Sequence, residues 1–129
     1  MRTKAWLADV PWDMVVWQNR QLCDAKHAHH GPTSDGYQEC RELWEENRLK
    51  EMAIEEMVEL CRKCHRLAPF TNFNGNTFSA IARALLDGLQ LSAQSAAFAR
   101  SLAGHIVAGV ASEEEVEAFR RFCEGLDGC

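Results

Sequence analysis

Two cysteines and a histidine form the motif C-x-x-C-H at positions 61–65, the densest group of side chains with site chemistry in this chain. Two thiolates separated by two residues can grip one zinc ion, and a tetrahedral site needs two further ligands. His27 and His30 lie at the end of the first predicted helix, where they are free to reach the two cysteines. The motif therefore has one metal alternative, in which zinc is bound by Cys61, Cys64, His27 and His30.

The same motif has two other interpretations. C-x-x-C-H is the covalent haem attachment sequence, but haem attachment needs export to an oxidising compartment, and no export signal is visible. The third interpretation places Cys61 and Cys64 in the core as small apolar side chains, with His65 near the end of a helix. We expect this third arrangement and no bound cofactor, with zinc as the alternative.

A second motif, Arg100 and His105 in the spacing R-x4-H, lies within a predicted helix. It resembles the motif of the HEPN superfamily, helical bundles that include many metal-independent ribonucleases. The resemblance covers six residues. It implies that His105 acts as acid or base at an RNA 2′-hydroxyl, that Arg100 steadies the phosphate, and that two chains pair as a homodimer. The alternative is a solvated Arg100 and a His105 that lines a helix contact.

The loop at 70–76 combines two aromatic rings with amides after a proline. Aromatic side chains on loops are typical anchors of protein interfaces. Phe70, Asn72, Phe73 and Asn74 are therefore predicted to bind a partner. The alternative is that Phe70 and Phe73 close one end of the helical bundle.

The chain has a formal net charge of −5, from 19 acidic and 14 basic residues. Proteins that bind nucleic acid directly usually have a basic balance, so we expect a protein or nucleoprotein partner rather than bare nucleic acid. Eight glutamates lie between positions 39 and 59. They form either a solvated helix face or a negative surface for a basic partner.

The start of the chain lacks the apolar stretch of a signal peptide, and no apolar run reaches the ~18 residues that cross a membrane. We therefore expect a cytoplasmic protein with no membrane association. Its six cysteines should then be mostly reduced.

Apolar residues recur at helical spacing, and no alternating strand pattern is visible. A lead-in segment at 1–10 precedes a first helix at 11–27, and loops are expected near 28–36 and 69–76. No Gly or Pro interrupts residues 37–68, which predicts one helix of about 30 residues, although the polar run at 45–48 leaves a break open. Ser92 and a capping box from Ser112 to Glu115 begin the last two helices. Residues 1–129 should form a single all-α domain, a compact bundle of five to six helices with one long central helix.

These features lack a convincing catalytic set, so we expect a small acidic non-catalytic interaction protein. It would serve as an accessory subunit, adaptor or inhibitor of a larger protein or nucleoprotein complex. The two alternatives are an HEPN-like ribonuclease and a zinc-stabilised helical module.

Overall fold

Six helices make up the computed structural model, which describes residues 3–127, with the backbone alone for Asp127. They are α1 (Trp12–Ala25), α2 (Tyr37–Asn47), α3 (Ile54–Leu67), α4 (Asn74–Asp87), α5 (Ala93–Ala108) and α6 (Glu113–Asp127). The extended pairing within residues 3–127 consists of two isolated bridges, Lys4 with Met52 and Pro32 with Phe70. The prediction of an all-α bundle is confirmed. No helix in this described range combines the length and apolarity that membrane crossing requires.

The structure corrects the prediction of one long central helix, because residues 48–53 separate α2 from α3. Met52 exchanges two backbone hydrogen bonds with Lys4 there, of 2.9 and 3.1 Å. Met52 and Ala53 are both buried. A continuous helix of about 30 residues would be about 45 Å long and would leave much of its apolar face without a partner. The break instead lets α2 and α3 pack against each other.

Several helix ends follow local rules that the sequence already shows. The Ser92 hydroxyl accepts a hydrogen bond from a first-turn N–H of α5, as an N-cap should. Ser112 and Glu115 form the predicted capping box, each accepting the other's backbone N–H. The start of α1 is different, because the N–H of Trp12 donates to the carboxylate of Glu45 on α2, at 3.0 Å. That cap comes from a residue 33 positions away.

Three helices, α3, α4 and α5, all pack against one another and form the centre of the bundle. The α1 helix packs on α4, and α2 packs on α3. The last helix, α6, packs on α5 and makes only a small contact with α3. This uneven docking of α6 leaves a gap on its α3 side.

Candidate functional site

Both cysteines of the C-x-x-C-H motif lie in the core. Cys61 and Cys64 are fully buried, and the break after α2 places Cys40 beside them, its Sγ 4.0 Å from the carbonyl oxygen of Cys64. Burial raises the pKa of Cys61 to about 12, with a smaller contribution from Cys40. The pKa of Cys64 is also raised, chiefly by its hydrogen bond with Cys40 and then by burial. Cys61 and Cys64 are therefore protonated core thiols at neutral pH.

The histidines of the zinc alternative lie elsewhere. His30 Nδ1 is 2.8 Å from Asn19 Oδ1, and burial, followed by the charge of a nearby arginine, lowers the pKa of His30. His27 is exposed, with a left-handed φ of 53° just after α1. Within residues 3–127, no three His, Cys, Asp or Glu side chains are grouped so that they could hold one metal ion. The described structure thus does not bring Cys61, Cys64, His27 and His30 together.

Arg100 and His105 both lie on α5, but their side chains point to different sides of the helix. Five positions along an α-helix correspond to a rotation of about 140°. Arg100 Nη1 lies 3.4 Å from Asp87 Oδ1, whereas His105 Nδ1 lies 2.5 Å from Glu115 Oε2. The hydrogen bond with His105 is also the main reason why the pKa of Glu115 is lowered. The two residues of the R-x4-H motif therefore do not converge on one substrate group within a chain.

Phe70, the first of the predicted partner-binding residues, is a core side chain with 2% of its surface exposed. Its ring stacks on Trp12 with centroids 5.9 Å apart and meets the edge of Tyr37 at 6.0 Å. Its backbone pairs with Pro32 in an isolated bridge. Phe70 therefore closes one end of the bundle, and its ring does not face solvent.

The amides of the same loop are also used internally. Asn74 Oδ1 accepts a hydrogen bond from the N–H of Phe70, at 2.9 Å, and Asn74 Nδ2 donates to the Phe70 carbonyl, at 2.8 Å. Asn72 donates to the carbonyl of His29 at 2.9 Å. Phe73 is half-buried, with a left-handed φ of 59°. The segment before α4 thus holds residues 29–33 against the bundle. The structure corrects the predicted loop at 69–76, because α4 already begins at Asn74.

An open groove of about 560 Å³ lies in the gap between α3 and α6, and we call it the α3–α6 groove. Its apolar lining comes from distant parts of the chain: Met52 before α3, Leu60 on α3, Ile106 on α5 and Phe119 on α6. Met52, Leu60 and Phe119 are buried, so they form the floor. Val116 forms part of the α6 side and is 48% exposed. Because the three side chains of the floor are at most 7% exposed, the apolar surface that the groove opens to solvent comes mainly from Val116 and the half-buried Ile106.

Charged side chains from residues 50–63 line the α3 side of this groove, and we call them its rim. The formal balance is −2, because four of them are glutamates and two are lysines. Arg62 donates to Glu59 at 2.5 Å, and this bond is the first cause of the lowered pKa of Glu59. Glu56 accepts a hydrogen bond from the N–H of Ala53, at 3.1 Å. The charged residues of the lining are Lys50, Glu51, Glu55, Glu56, Glu59 and Lys63.

Sequence patterns did not identify the groove, because Leu60 and Phe119 on its two walls are 59 positions apart in the chain. Leu60 and Phe119 read individually as ordinary core positions of amphipathic helices. The signal that did point to this surface was the run of glutamates, which includes four of the residues on the rim.

No protein-family description matches this chain, and neither do the curated proteins or the solved structures with which it was compared. The functional argument therefore starts from the geometry and charge of the chain itself.

Proposed function

We propose that this chain is a non-catalytic adaptor or inhibitory subunit that binds an amphipathic helix of a larger protein in the α3–α6 groove. One observation supports the proposal: partly exposed apolar side chains and an excess of glutamates line the same groove. Amphipathic helices commonly bind by laying their apolar face into such a groove. The proposal keeps the interaction function expected from composition and places it on a surface other than the 70–76 loop.

The shape of the groove favours a few apolar anchors. A volume of about 560 Å³ lies within the range that encloses ligand-sized groups. Side chains at i, i+3 or i+4, and i+7 of a helix project from one face, so they can enter together. Phe119 and Leu60 would form the bottom of the site and Val116 a side that becomes buried on binding.

The charge of the rim favours a partner with basic flanks. A formal balance of −2 around the groove agrees in sign with the net charge of −5 for the chain. Exposed charges of this kind act mainly on partner choice and on the rate of encounter, and salt screens them over about 10 Å. Burial of Val116 and Ile106 would supply most of the affinity, and the charged residues would select the basic partner.

Fluorescence polarisation with three labelled helical peptides tests the proposal directly. The peptides share one apolar stripe and carry lysine, glutamine or glutamate on their flanks. We expect the lysine peptide to bind most tightly and its advantage to shrink as salt is raised. Equal binding of the lysine and glutamate peptides would contradict the role of the rim.

Two exposed valines, one inside the groove and one outside it, allow a matched test of where the peptide binds. Val116→Glu places a charge beside the groove floor and should weaken peptide binding by about tenfold or more, since an unpaired charge is costly to desolvate. Val110→Glu makes the same change at a residue that is 69% exposed and lies outside the groove, so binding should stay unchanged. Equal losses in both variants would show that the peptide binds elsewhere.

A photo-crosslinking amino acid placed at position 116 or 110 extends the test to cells. We expect position 116 to crosslink to a defined segment of a partner and position 110 to give no such product. The crosslinked segment should read as an amphipathic helix with lysine or arginine beside its apolar stripe. A crosslink to an acidic or non-helical segment would argue against this mode of binding.

A further inference from the structure

A second recess, which we call the polar cleft, lies on a different side of α3 from the groove. It has a volume of about 750 Å³ and lies between the end of α3, the α4 helix from Asn74 to Arg83, and the last half of α5. Its ionisable lining residues are His65, Arg83 and His105. Ser79 and Asn76 add a hydroxyl and an amide. No acidic side chain is among the residues that line it in the described structure.

Arg83 is half-buried in this cleft, and none of the described side chains is its counter-ion. Within residues 3–127, no carboxylate lies within 4.0 Å of its guanidinium, whereas the two other half-buried arginines, Arg48 and Arg62, each pair with a glutamate of their own helix. The carboxylate one turn along α4, Asp87, pairs with Arg100 instead. A partly desolvated guanidinium with free N–H groups is well suited to bind an oxyanion through two parallel hydrogen bonds.

Gly104 provides the space that the guanidinium occupies. A Cβ atom built at position 104 would lie 2.2 Å from Nη2 of Arg83, far inside contact distance. The Nε of Arg83 also donates a long hydrogen bond, 3.4 Å, to the carbonyl oxygen of Arg100 on α5. These two features hold Arg83 across α5, at the wall of the cleft. A glycine within α5, which is unfavourable for helix stability, thereby has a specific packing role.

In both histidines Nδ1 is already hydrogen-bonded within the protein, so Nε2 is left to bind another group. His65 Nδ1 must donate to the carbonyl of Val107, at 2.8 Å, because a carbonyl oxygen only accepts. His105 Nδ1 lies 2.5 Å from Glu115 Oε2, where a carboxylate likewise accepts. The ring of His65 faces the first turn of α4, with Nε2 3.2 Å from the position of a Cβ built on Gly75. Orientation through Nδ1 is the usual way in which proteins present Nε2 of an imidazole to a ligand.

We propose that the polar cleft is a binding site for a phosphate group, anchored by Arg83 and completed by Nε2 of His65 and His105. A phosphate offers several acceptor oxygens to the guanidinium and to protonated imidazole. In its hydrogen phosphate form it also offers one O–H to a neutral imidazole. A free phosphate ion and a phosphate monoester share this chemistry. This site is separate from the α3–α6 groove and does not depend on the adaptor function.

Titration with inorganic phosphate, followed by histidine side-chain NMR in 150 mM salt, tests the site. We expect saturable shifts of the His65 and His105 signals, and the same titration with phenyl phosphate identifies the source. Preference for inorganic phosphate indicates the free ion, and equal or tighter binding of phenyl phosphate indicates an ester. The absence of a saturable response to both ligands up to about 10 mM, a very weak affinity, would overturn the proposal.

Two variants separate binding from folding. Arg83→Gln should weaken phosphate binding by about tenfold or more, since it removes charge-assisted hydrogen bonds. Arg121→Gln, at an arginine that is 75% exposed and lies outside the cleft, should leave binding unchanged. Gly104→Ala should keep or raise the thermal midpoint, because alanine favours helix, while it displaces the guanidinium and weakens binding. Unchanged phosphate affinity in a folded Gly104→Ala or Arg83→Gln variant would refute the site.

Discussion

Asn19 is the fully buried centre of a polar network, and its replacement by leucine gives the most direct test of how this bundle is held together. Its Nδ2 donates to the carbonyl oxygen of Asn72 at 2.7 Å and to the hydroxyl of Thr77 at 3.0 Å. Its Oδ1 lies 2.8 Å from Nδ1 of His30. Asn19 thereby joins α1 to the loop before α4 and to the segment after α1.

The cost of Asn19→Leu follows from the groups that lose their partners. Leucine is similar in size, so the packing change is small compared with the polar change. Thr77 keeps its hydrogen bond to the carbonyl of Phe73, whereas the Asn72 carbonyl and His30 lose theirs. A buried polar group left without a partner costs about 1–3 kcal/mol, and half-buried His30 can turn to water, so we expect a total of about 2–4 kcal/mol. For a domain of this size that corresponds to a fall of about 8–16 °C in Tm.

Urea unfolding followed by circular dichroism at 222 nm measures this cost. The midpoint should fall with the slope m unchanged, which shows that the folded state lost stability without a change in the surface exposed on unfolding. Asn76→Leu is the matched control, because Asn76 is an exposed amide on α4, and its change should stay within about 0.5 kcal/mol. If Asn19→Leu and Asn76→Leu gave equal free energies of unfolding, the argument from buried unpaired groups would be refuted.

Two further predictions concern ionisable groups. The hydrogen bond from the N–H of Trp12, followed by the bond from Arg48, lowers the pKa of Glu45 below its ordinary value of 4.5. The ionised Glu45 should therefore stabilise the fold fully above pH 4.5, and this contribution should be lost as the pH falls through the lower pKa of the folded state. At pH 7 Glu45→Gln should lower the free energy of unfolding by only about 0.5 kcal/mol, since the pair is partly exposed and screened. The neighbouring Glu46→Gln should give no change measurable by urea unfolding. Equal losses in the two variants would contradict the capping role of Glu45. Burial raises the pKa of Cys61 to about 12, so iodoacetamide at pH 8 should label it only as the chain unfolds, and rapid labelling of native protein, mapped by mass spectrometry, would show that the thiol is accessible.

The break between α2 and α3 shows where local sequence rules stop. Nothing in residues 37–68 forces an end, since the segment contains no Gly or Pro. The break forms because Met52 pairs with Lys4 and is buried with Ala53. It also brings Cys40 to Cys64, although a continuous helix would place Cys40 and Cys61 about 31 Å apart. A contact between residues 48 positions apart thus decided the path of the chain.

The candidate sites depend on tertiary contacts in the same way. Leu60 and Phe119 line one groove because α6 docks beside α3. His105 was recognised as a candidate from the R-x4-H spacing, but the arginine that shares its cleft is Arg83 on α4 rather than Arg100. Spacing along one helix could not reveal this, because a rotation of about 140° separates positions 100 and 105.

The sequence by itself determined the helical class, the caps at Ser92 and Ser112, and the acidic character of the surface. These properties depend on backbone propensity, short-range hydrogen bonds and net charge, which act within a few residues or need no geometry at all. Tertiary structure alone decided the break at 48–53, the capping of α1 by Glu45, and the assembly of the groove and the polar cleft. Each of these joins residues that are far apart in the chain, and only burial of the common core brings them into contact.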